Sequence, residues 1–234
     1  MKRIVFLLII LHSSLLLSAS LLTLGGAQTS LAPLSLNRSL HSETVSSVFV
    51  SMPDSVFELL TQKGRRDMVD FYNNHMEAKV RNRLNDYSQL DTLTDDFLRL
   101  RLSTSSSAEM KLLQTEDSTT IICLIRSITS PVADSRVQFF TTDWQPVRWI
   151  ELPNPSTKDF FSEAPDSVSR DLSFARRSID DLRFVAVSID PVEPILTFTL
   201  SVDELNIDEK KLSRRYLRSL RYRWTGSSFT LIGC

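Results

Sequence analysis

The stretch Leu98-Arg99-Leu100-Arg101-Leu102 alternates apolar and charged side chains along its whole length. A period of two is typical of a β-strand with one buried face and one solvent-facing side. Four later segments are also predicted as strands, and short polar joins separate them: 110–112, 121–125, 136–141 and 147–150. Because short joins place neighbouring strands antiparallel, the sequence predicts one β-meander over residues 94–150.

One strand of this meander differs from the others. Residues 121–125 read Ile-Ile-Cys-Leu-Ile and are apolar on both faces. A strand of this composition is expected inside a sheet that is covered on both sides.

Helices are predicted before the meander, after a short strand at 48–50. One begins at Ser51–Asp54, with proline in its first turn, and ends at Lys63-Gly64. A second is predicted from Arg65 to Leu84, because large apolar residues recur there at every fourth position: Met68, Tyr72, Met76, Val80 and Leu84. Its apolar side is expected to pack on the meander.

The C-terminal part repeats this mixture of elements. A helix is predicted around Val168–Ile179, strands over 182–189 and 195–202, a basic helix over 208–217, and a closing hairpin from 221–224 and 229–232. The prolines at 153, 155 and 165 predict a connector at 153–165. The fold class is therefore α+β, with helices packed on antiparallel meander sheets in two similar halves, 48–152 and 166–234. Whether the halves arose by duplication is left open.

The N-terminus has the pattern of a secretory signal peptide. Lys2 and Arg3 precede an apolar stretch over 4–24, and small residues end it at Gly25-Gly26-Ala27. We expect cleavage between Ala27 and Gln28, with an uncut membrane anchor as the alternative. A loose arm is predicted over 28–47. No second apolar run after the signal has the length of a bilayer span, so no transmembrane segment is expected in the mature chain.

The net charge and the cysteines limit which classes of function are plausible. Without the signal, the chain has 25 basic residues (27 − 2) against 28 acidic ones, a net charge of −3. This balance argues against a nucleic-acid-binding protein. The two cysteines, Cys123 and Cys234, could form a disulfide after export, although nothing in their spacing requires it.

The sequence contains few groups for catalysis. Beyond the signal there are two histidines, His41 and His75, which nearly excludes a histidine-based triad or a histidine-rich metal site. No metal and no cofactor are expected. Three acidic pairs, Asp95-Asp96, Glu116-Asp117 and Asp180-Asp181, could supply the carboxylates of a hydrolase. All three flank predicted strands, where acidic residues commonly form turns.

Two groups of residues are candidates for binding. Trp144 lies in a predicted turn and is followed by Arg148 and Trp149, and exposed turn aromatics can recognise proteins or sugars. The alternative is that Trp144 caps the core. The basic run contains Lys210, Lys211, Arg214 and Arg215, and could contact an anionic partner such as a lipopolysaccharide headgroup or an acidic polysaccharide. The alternative here is a solvated helix face.

Several segments resemble one family of exported Bacteroidetes proteins, domain-of-unknown-function family 3256. They are FVSMPDS at 49–55, RDMVDF at 66–71, LTDDFL at 93–98, MKLL at 110–113, PVADSR at 131–136 and FFTTDW at 139–144. The resemblance implies a bacterial envelope protein and brings no catalytic residues. The helix-plus-meander pattern is also similar to small periplasmic inhibitor-type and PepSY-type folds.

If the host belongs to that phylum, the resemblance also implies O-glycosylation. The tripeptides starting at Asp54, Asp91 and Asp166 resemble its periplasmic signal, with Ser55, Thr92 and Ser167 as acceptors. Our hypothesis from the sequence is an exported protein of the periplasm or outer envelope that binds a protein or glycan without catalysis. The alternative is a carboxylate-dependent hydrolase of an envelope polymer, acting near Asp95-Asp96 or Asp180-Asp181. A third hypothesis is a structural role at the inner leaflet of the outer membrane, through the basic C-terminal run.

Overall fold

The computed structural model describes residues 43–181, 183–203 and 205–233, all within the compact unit His41–Cys234. Of Ser167 it describes the backbone alone. The helices in these residues are α1 Val45–Ser51, α2 Gln62–Asn73, α3 Asp166–Asp181 and α4 Ile207–Tyr216, with a short 3₁₀ helix at Thr157–Phe160. The predicted signal, its cleavage site at Ala27 and Gln28, and residues 28–42 of the predicted loose arm lie outside the described residues. The end of that arm is not loose, because residues 45–47 belong to α1.

The larger sheet has six strands in chain order, each antiparallel to the next. They are β1 Lys79–Arg81, β2 Tyr87–Leu93, β3 Phe97–Ser103, β4 Ser106–Gln114, β5 Thr120–Ile128 and β6 Asp134–Thr141. The meander prediction is confirmed for β3 to β6. In β3, Leu98, Leu100 and Leu102 are buried while Arg101 is exposed, which matches the alternation in the sequence.

The smaller sheet comes from the C-terminal part of the chain. Its strands are β7 Val185–Ile189, β8 Ile195–Leu200, β9 Leu220–Trp224 and β10 Phe229–Gly233. The order across the sheet is β10-β9-β8-β7, again antiparallel throughout. The predicted closing hairpin is confirmed, with Phe229 opposite Trp224. The fold is α+β, with two antiparallel sheets and their helices.

The larger sheet is covered on both faces. Helices α1 and α2 pack on one face, against Ile122 and Leu124 of β5. The smaller sheet and α3 pack on the other face, against Ile121, Cys123 and Ile125. The apolar run of β5 is therefore explained by two hydrophobic cores, one on each side of the same strand. Burial raises the pKa of the Cys123 thiol, which keeps it protonated.

Side chains of the larger sheet cap the free edge of β7. The backbone N–H of Val185 donates to Asp134 Oδ1 at 3.1 Å, and that of Val187 donates to Ser135 Oγ at 2.9 Å. The N–H of Ile189 donates to Glu109 Oε2 at 2.8 Å. Three edge donors of the smaller sheet thus bind side chains where another strand would otherwise be needed.

Buried cations fix two irregular segments. Arg65 of α2 is fully buried, and its guanidinium donates to the carbonyl oxygens of Phe49, Met52 and Leu60 and to Asp54 Oδ1. Burial lowers the pKa of Arg65, and the hydrogen bond to Asp54 opposes this effect. Lys111 is also buried, and its Nζ lies 2.8 Å from Asp96 Oδ2 and 2.9 Å from the Pro191 carbonyl oxygen.

The helical predictions before the meander are wrong in three respects. Residues 48–50 belong to α1 and not to a strand, and α1 begins at Val45. No helix begins at 51–54, where the chain turns. Gly64 does not end a helix but lies inside α2. Thr61 caps the N-terminus of α2, where its hydroxyl accepts from the Gly64 N–H at 3.2 Å. The predicted helix 65–84 ends at Asn73, because His75 takes a left-handed conformation with φ 57°.

The remainder of that predicted helix is extended. Val80 lies in β1, while Met76 and Leu84 are 59% and 71% exposed, so the period of four did not mark a buried helix face. Strand β2 was not predicted. The predicted strand at 147–150 is also absent. An isolated bridge lies just before it, at Pro146, and the Val147 N–H donates to the Phe139 carbonyl at 2.9 Å.

Two further expectations concern the membrane and the cysteines. Within the described ranges, no helix has both the length and the apolar composition to cross a bilayer. Cys123 is buried and forms no disulfide with a described residue. Cys234 lies outside the described residues, so the Cys123–Cys234 bond stays a prediction.

We predict that Arg65→Met lowers the free energy of unfolding by about 3 kcal/mol, because it leaves three buried carbonyl oxygens without their donor. The neighbouring Arg66 is exposed, and Arg66→Met is the matched control, with an expected change under about 0.5 kcal/mol. Urea unfolding followed by circular dichroism measures both. Equal stabilities of the two variants would contradict the role assigned to Arg65.

Candidate functional site

The three tryptophans differ sharply in exposure. Trp149 is 58% exposed, whereas Trp144 and Trp224 are each 6% exposed. Trp149 lies in the segment between β6 and the 3₁₀ helix, and its sequence neighbour Ile150 is buried in the core. The backbone is thus anchored next to an aromatic side chain that faces solvent.

Trp149 packs against a row of aromatic rings in which Trp224 and Phe139 are buried and Phe229 is partly buried. Its ring centroid is 6.3 Å from that of Trp224, which is 5.0 Å from that of Phe229. The Phe229 ring is in turn 5.9 Å from Phe139 in the larger sheet. Tilted aromatic pairs at such distances attract one another beyond the effect of buried area. The row therefore connects the exposed indole to the core between the two sheets.

The hairpin β9–β10 holds this row in place. The Trp224 indole N–H donates to the Gln114 carbonyl at 2.7 Å. In the hairpin turn, Gly226 has φ 103°, and a Cβ at this position would lie 2.8 Å from Glu116 Cγ. The Gly226 carbonyl accepts from the Glu116 N–H at 3.2 Å, so the turn is bound to the loop that follows β4. Only glycine combines this conformation with this close approach.

The surroundings of Trp149 are polar. Arg148 and Glu151 are both exposed on the same short segment. An exposed indole flanked by an exposed cation and a carboxylate offers a flat apolar surface with hydrogen-bonding groups beside it. Surfaces of this composition bind protein side chains or the apolar face of a sugar ring.

Trp144 lies elsewhere. It packs with the helical layer, on the opposite face of the larger sheet from Trp224, and its indole N–H donates to the Val48 carbonyl at 3.1 Å. Its ring centroid is 5.4 Å from Phe140, and its backbone has φ 61°. The structure therefore places Trp144 in the core, under the turn that follows β6, and leaves Trp149 as the exposed aromatic of the pair.

The basic residues of α4 form a separate surface. Asp203 binds Lys210 at 2.5 Å and Arg214 at 3.2 Å. The hydrogen bond from Lys210 lowers the pKa of Asp203. Lys211 and Arg215 are exposed, and no acidic partner binds either of them within the described part of the chain.

In two of the three acidic pairs considered for a hydrolase, carboxylates bind other side chains of the protein. Asp96 pairs with Lys111 at 2.8 Å. Asp117 accepts from the Thr115 hydroxyl, which lowers the pKa of its carboxyl. Glu116 accepts from the Ser227 hydroxyl at 2.6 Å. Asp180 and Asp181 form the end of α3. Among the described residues, no cluster of three or more His, Cys, Asp or Glu side chains has the arrangement of a metal site.

A small cavity that the sequence did not indicate lies between β6, β7 and residues 152–155. Its volume is about 210 Å³, with Val137, Val187 and Phe198 among its apolar lining residues and Asp134 and Arg183 at its polar side. Arg183 donates to the Pro155 carbonyl and to Asn154 Oδ1, both at 2.8 Å, and Asp134 caps β7. The polar groups here are already bound to the protein, which limits what they offer to a ligand.

The predicted glycosylation acceptors lie in different settings. Ser55 is exposed in the turn after α1, and Thr92 is half-buried in β2. The side chain of Ser167 is not described. Glycosylation at these positions stays a prediction.

We predict that Trp149→Ala changes the free energy of unfolding by less than about 1 kcal/mol, because most of the indole is already in water. Trp224→Ala removes a buried ring and should lower it by about 3–5 kcal/mol. Thermal unfolding compares the two variants. A large loss of stability in Trp149→Ala would show that this side chain serves packing instead of binding.

The comparisons with known proteins agree with the family resemblance of the sequence. A solved domain of an uncharacterized protein from Porphyromonas gingivalis W83 matches with a TM-score of 0.66 and 26% sequence identity, over 81% of this chain and 98% of that chain. No curated protein matches significantly. The family described as "Protein of unknown function (DUF3256)" matches residues 37–229. The chain belongs to this family.

Proposed function

We propose that this protein is exported to the periplasm or outer envelope and acts there as a non-enzymatic binding protein. We further propose that Trp149 is at the centre of the surface that contacts its partner, an envelope protein or glycan. The export step rests on the N-terminal sequence, where two cations, a long apolar stretch and small residues follow one another.

The observation that carries the binding step is that Trp149 is both exposed and fixed. An indole left 58% exposed loses much of the hydrophobic stabilisation that burial would provide. A bound partner would recover it. Because the ring already packs against Trp224, which in turn packs against Phe229, binding would require little additional ordering of this side chain.

Rigid, partly exposed tryptophans are frequent at the centre of protein interfaces. The neighbouring Arg148 and Glu151 would contribute hydrogen bonds and orientation at the rim of the contact. The hydrolase hypothesis depends on Asp95-Asp96 or Asp180-Asp181, and Asp96 already neutralises a buried lysine.

We predict that cross-linking and recovery of the native protein from its own envelope captures a partner, and that Trp149→Ala reduces this capture by about 30-fold, as expected for a central interface residue. Phe174→Ala is the matched control, because Phe174 is a 48% exposed aromatic on α3. Mass spectrometry quantifies what is recovered. Equal recovery with Trp149→Ala, or no specific capture by the wild type, would contradict the proposal.

The class of partner follows from pretreating the envelope. Protease treatment abolishes capture of a protein partner, and periodate oxidation abolishes capture of a glycan. Hydrolysis of envelope polymer by the wild-type protein, lost on replacing Asp96 or Asp180 with Asn, would instead favour the hydrolase.

A further inference from the structure

Positive charge is concentrated at the C-terminal end of the sequence. After Glu209 there is no acidic residue, while seven basic residues follow: Lys210, Lys211, Arg214, Arg215, Arg218, Arg221 and Arg223. The preceding part has 20 basic residues (27 − 7) against 28 acidic ones. A near-neutral chain thus contains a strongly basic segment.

Helix α4 directs four of these cations to one side. At about 100° of rotation per residue, Lys210, Lys211, Arg214 and Arg215 fall within an arc of about 140°, and Ile207 lies inside the same arc. The opposite side of the helix packs on the core through Leu212, Ser213 and Tyr216. The cations therefore share the outward face of a helix whose other face is anchored.

This outward face is only partly neutralised. Among the described residues, Asp203 is the one carboxylate bound to it, and it is shared by Lys210 and Arg214. Asp208 lies just beyond the arc, in the first turn of the helix. Lys211 and Arg215, one turn apart, have no acidic partner within the described ranges.

An apolar residue lies among these cations. Ile207 is 85% exposed in the first turn of α4. Cations around an exposed branched aliphatic side chain suit an interface where phosphate groups lie next to hydrocarbon. A soluble acidic polymer would satisfy the cations but would offer no apolar environment for Ile207.

We propose that the outward face of α4 binds peripherally to a membrane surface rich in anionic phospholipid headgroups. Lys211 and Arg215 bind phosphate, Lys210 and Arg214 add to the attraction, and Ile207 enters the headgroup region. This surface is distinct from Trp149, so the proposal does not rest on the partner-binding function. With so few cations, the attachment is reversible and weakens as salt rises.

Vesicle co-sedimentation tests the proposal with the exported protein purified from its host. We expect binding to phosphatidylcholine vesicles that contain phosphatidylglycerol, little binding to pure phosphatidylcholine, and release at high salt. The double variant Lys211→Gln/Arg215→Gln should bind about tenfold or more weakly, since each cation near an anionic surface contributes substantially. Ile207→Ser should lower the binding that persists at intermediate salt.

The matched control is Arg170→Gln/Arg177→Gln, which removes two exposed cations from α3 and so changes the net charge as much as the double variant in α4 does. It should bind as the wild type does, and circular dichroism should show that all variants remain folded. Binding that ignores salt, or an equal loss in both double variants, would overturn the proposal. Binding to an alginate-type acidic polysaccharide without vesicle binding would also overturn it, in favour of a polymer ligand.

Discussion

The association of the two sheets depends on three hydrogen bonds from the edge of β7 to side chains. Asp134, Ser135 and Glu109 accept from the N–H groups of alternate residues along that strand. Without these acceptors, the part-buried N–H groups of Val187 and Ile189 would be left unsatisfied, at about 1–3 kcal/mol apiece. The caps also fix the position of the smaller sheet, because hydrogen bonds are directional and hydrophobic contact is not. Glu109 is itself held by Arg99 at 2.9 Å, so its carboxylate is aligned before it meets β7.

The buried cations Arg65 and Lys111 have the opposite role to these acceptors, because they donate hydrogen bonds to carbonyl groups of irregular backbone. Arg65 binds the carbonyl groups that surround the turn between α1 and α2, and Lys111 binds the carbonyl of Pro191 after β7. The core between the sheets is therefore apolar in its centre and polar along its border. This frame supports the two surfaces to which we assign binding, the indole of Trp149 and the outward side of α4. Both surfaces are largely exposed to solvent and are therefore accessible to a partner.

The sequence predicts those elements whose pattern is set locally. The alternation in β3, the doubly apolar β5, helix α3 and the final hairpin all follow from side-chain period and turn chemistry. The helix predicted to Leu84 was wrong because a period of four continued past Asn73, while the left-handed backbone at His75 ended the helix. Strand β2 was missed because polar residues fill much of it. Local pattern does not include the tertiary contacts that decide such cases.

In the candidate sites, too, local sequence does not predict what distant contacts decide. Both Trp144 and Trp149 follow β6 closely, and the sequence alone did not separate the buried one from the exposed one. Their difference depends on the Val48 carbonyl in one case and on Trp224 in the other, which are far away in the chain. The caps on β7 could not be predicted for a related reason: each cap joins two residues that lie about 50 to 80 positions apart in the sequence. A single aspartate, serine or glutamate in a strand gives no indication of such a partner.

Native-state hydrogen exchange of the amides of Val185, Val187 and Ile189 tests most directly whether side chains complete the β7 edge. We predict that all three exchange as slowly as ladder amides in β8, and that Glu109→Ala accelerates exchange at Ile189 while Val187 stays protected. Rapid exchange of the three amides in the unmodified protein, at the rate of an unpaired sheet edge, would contradict this prediction.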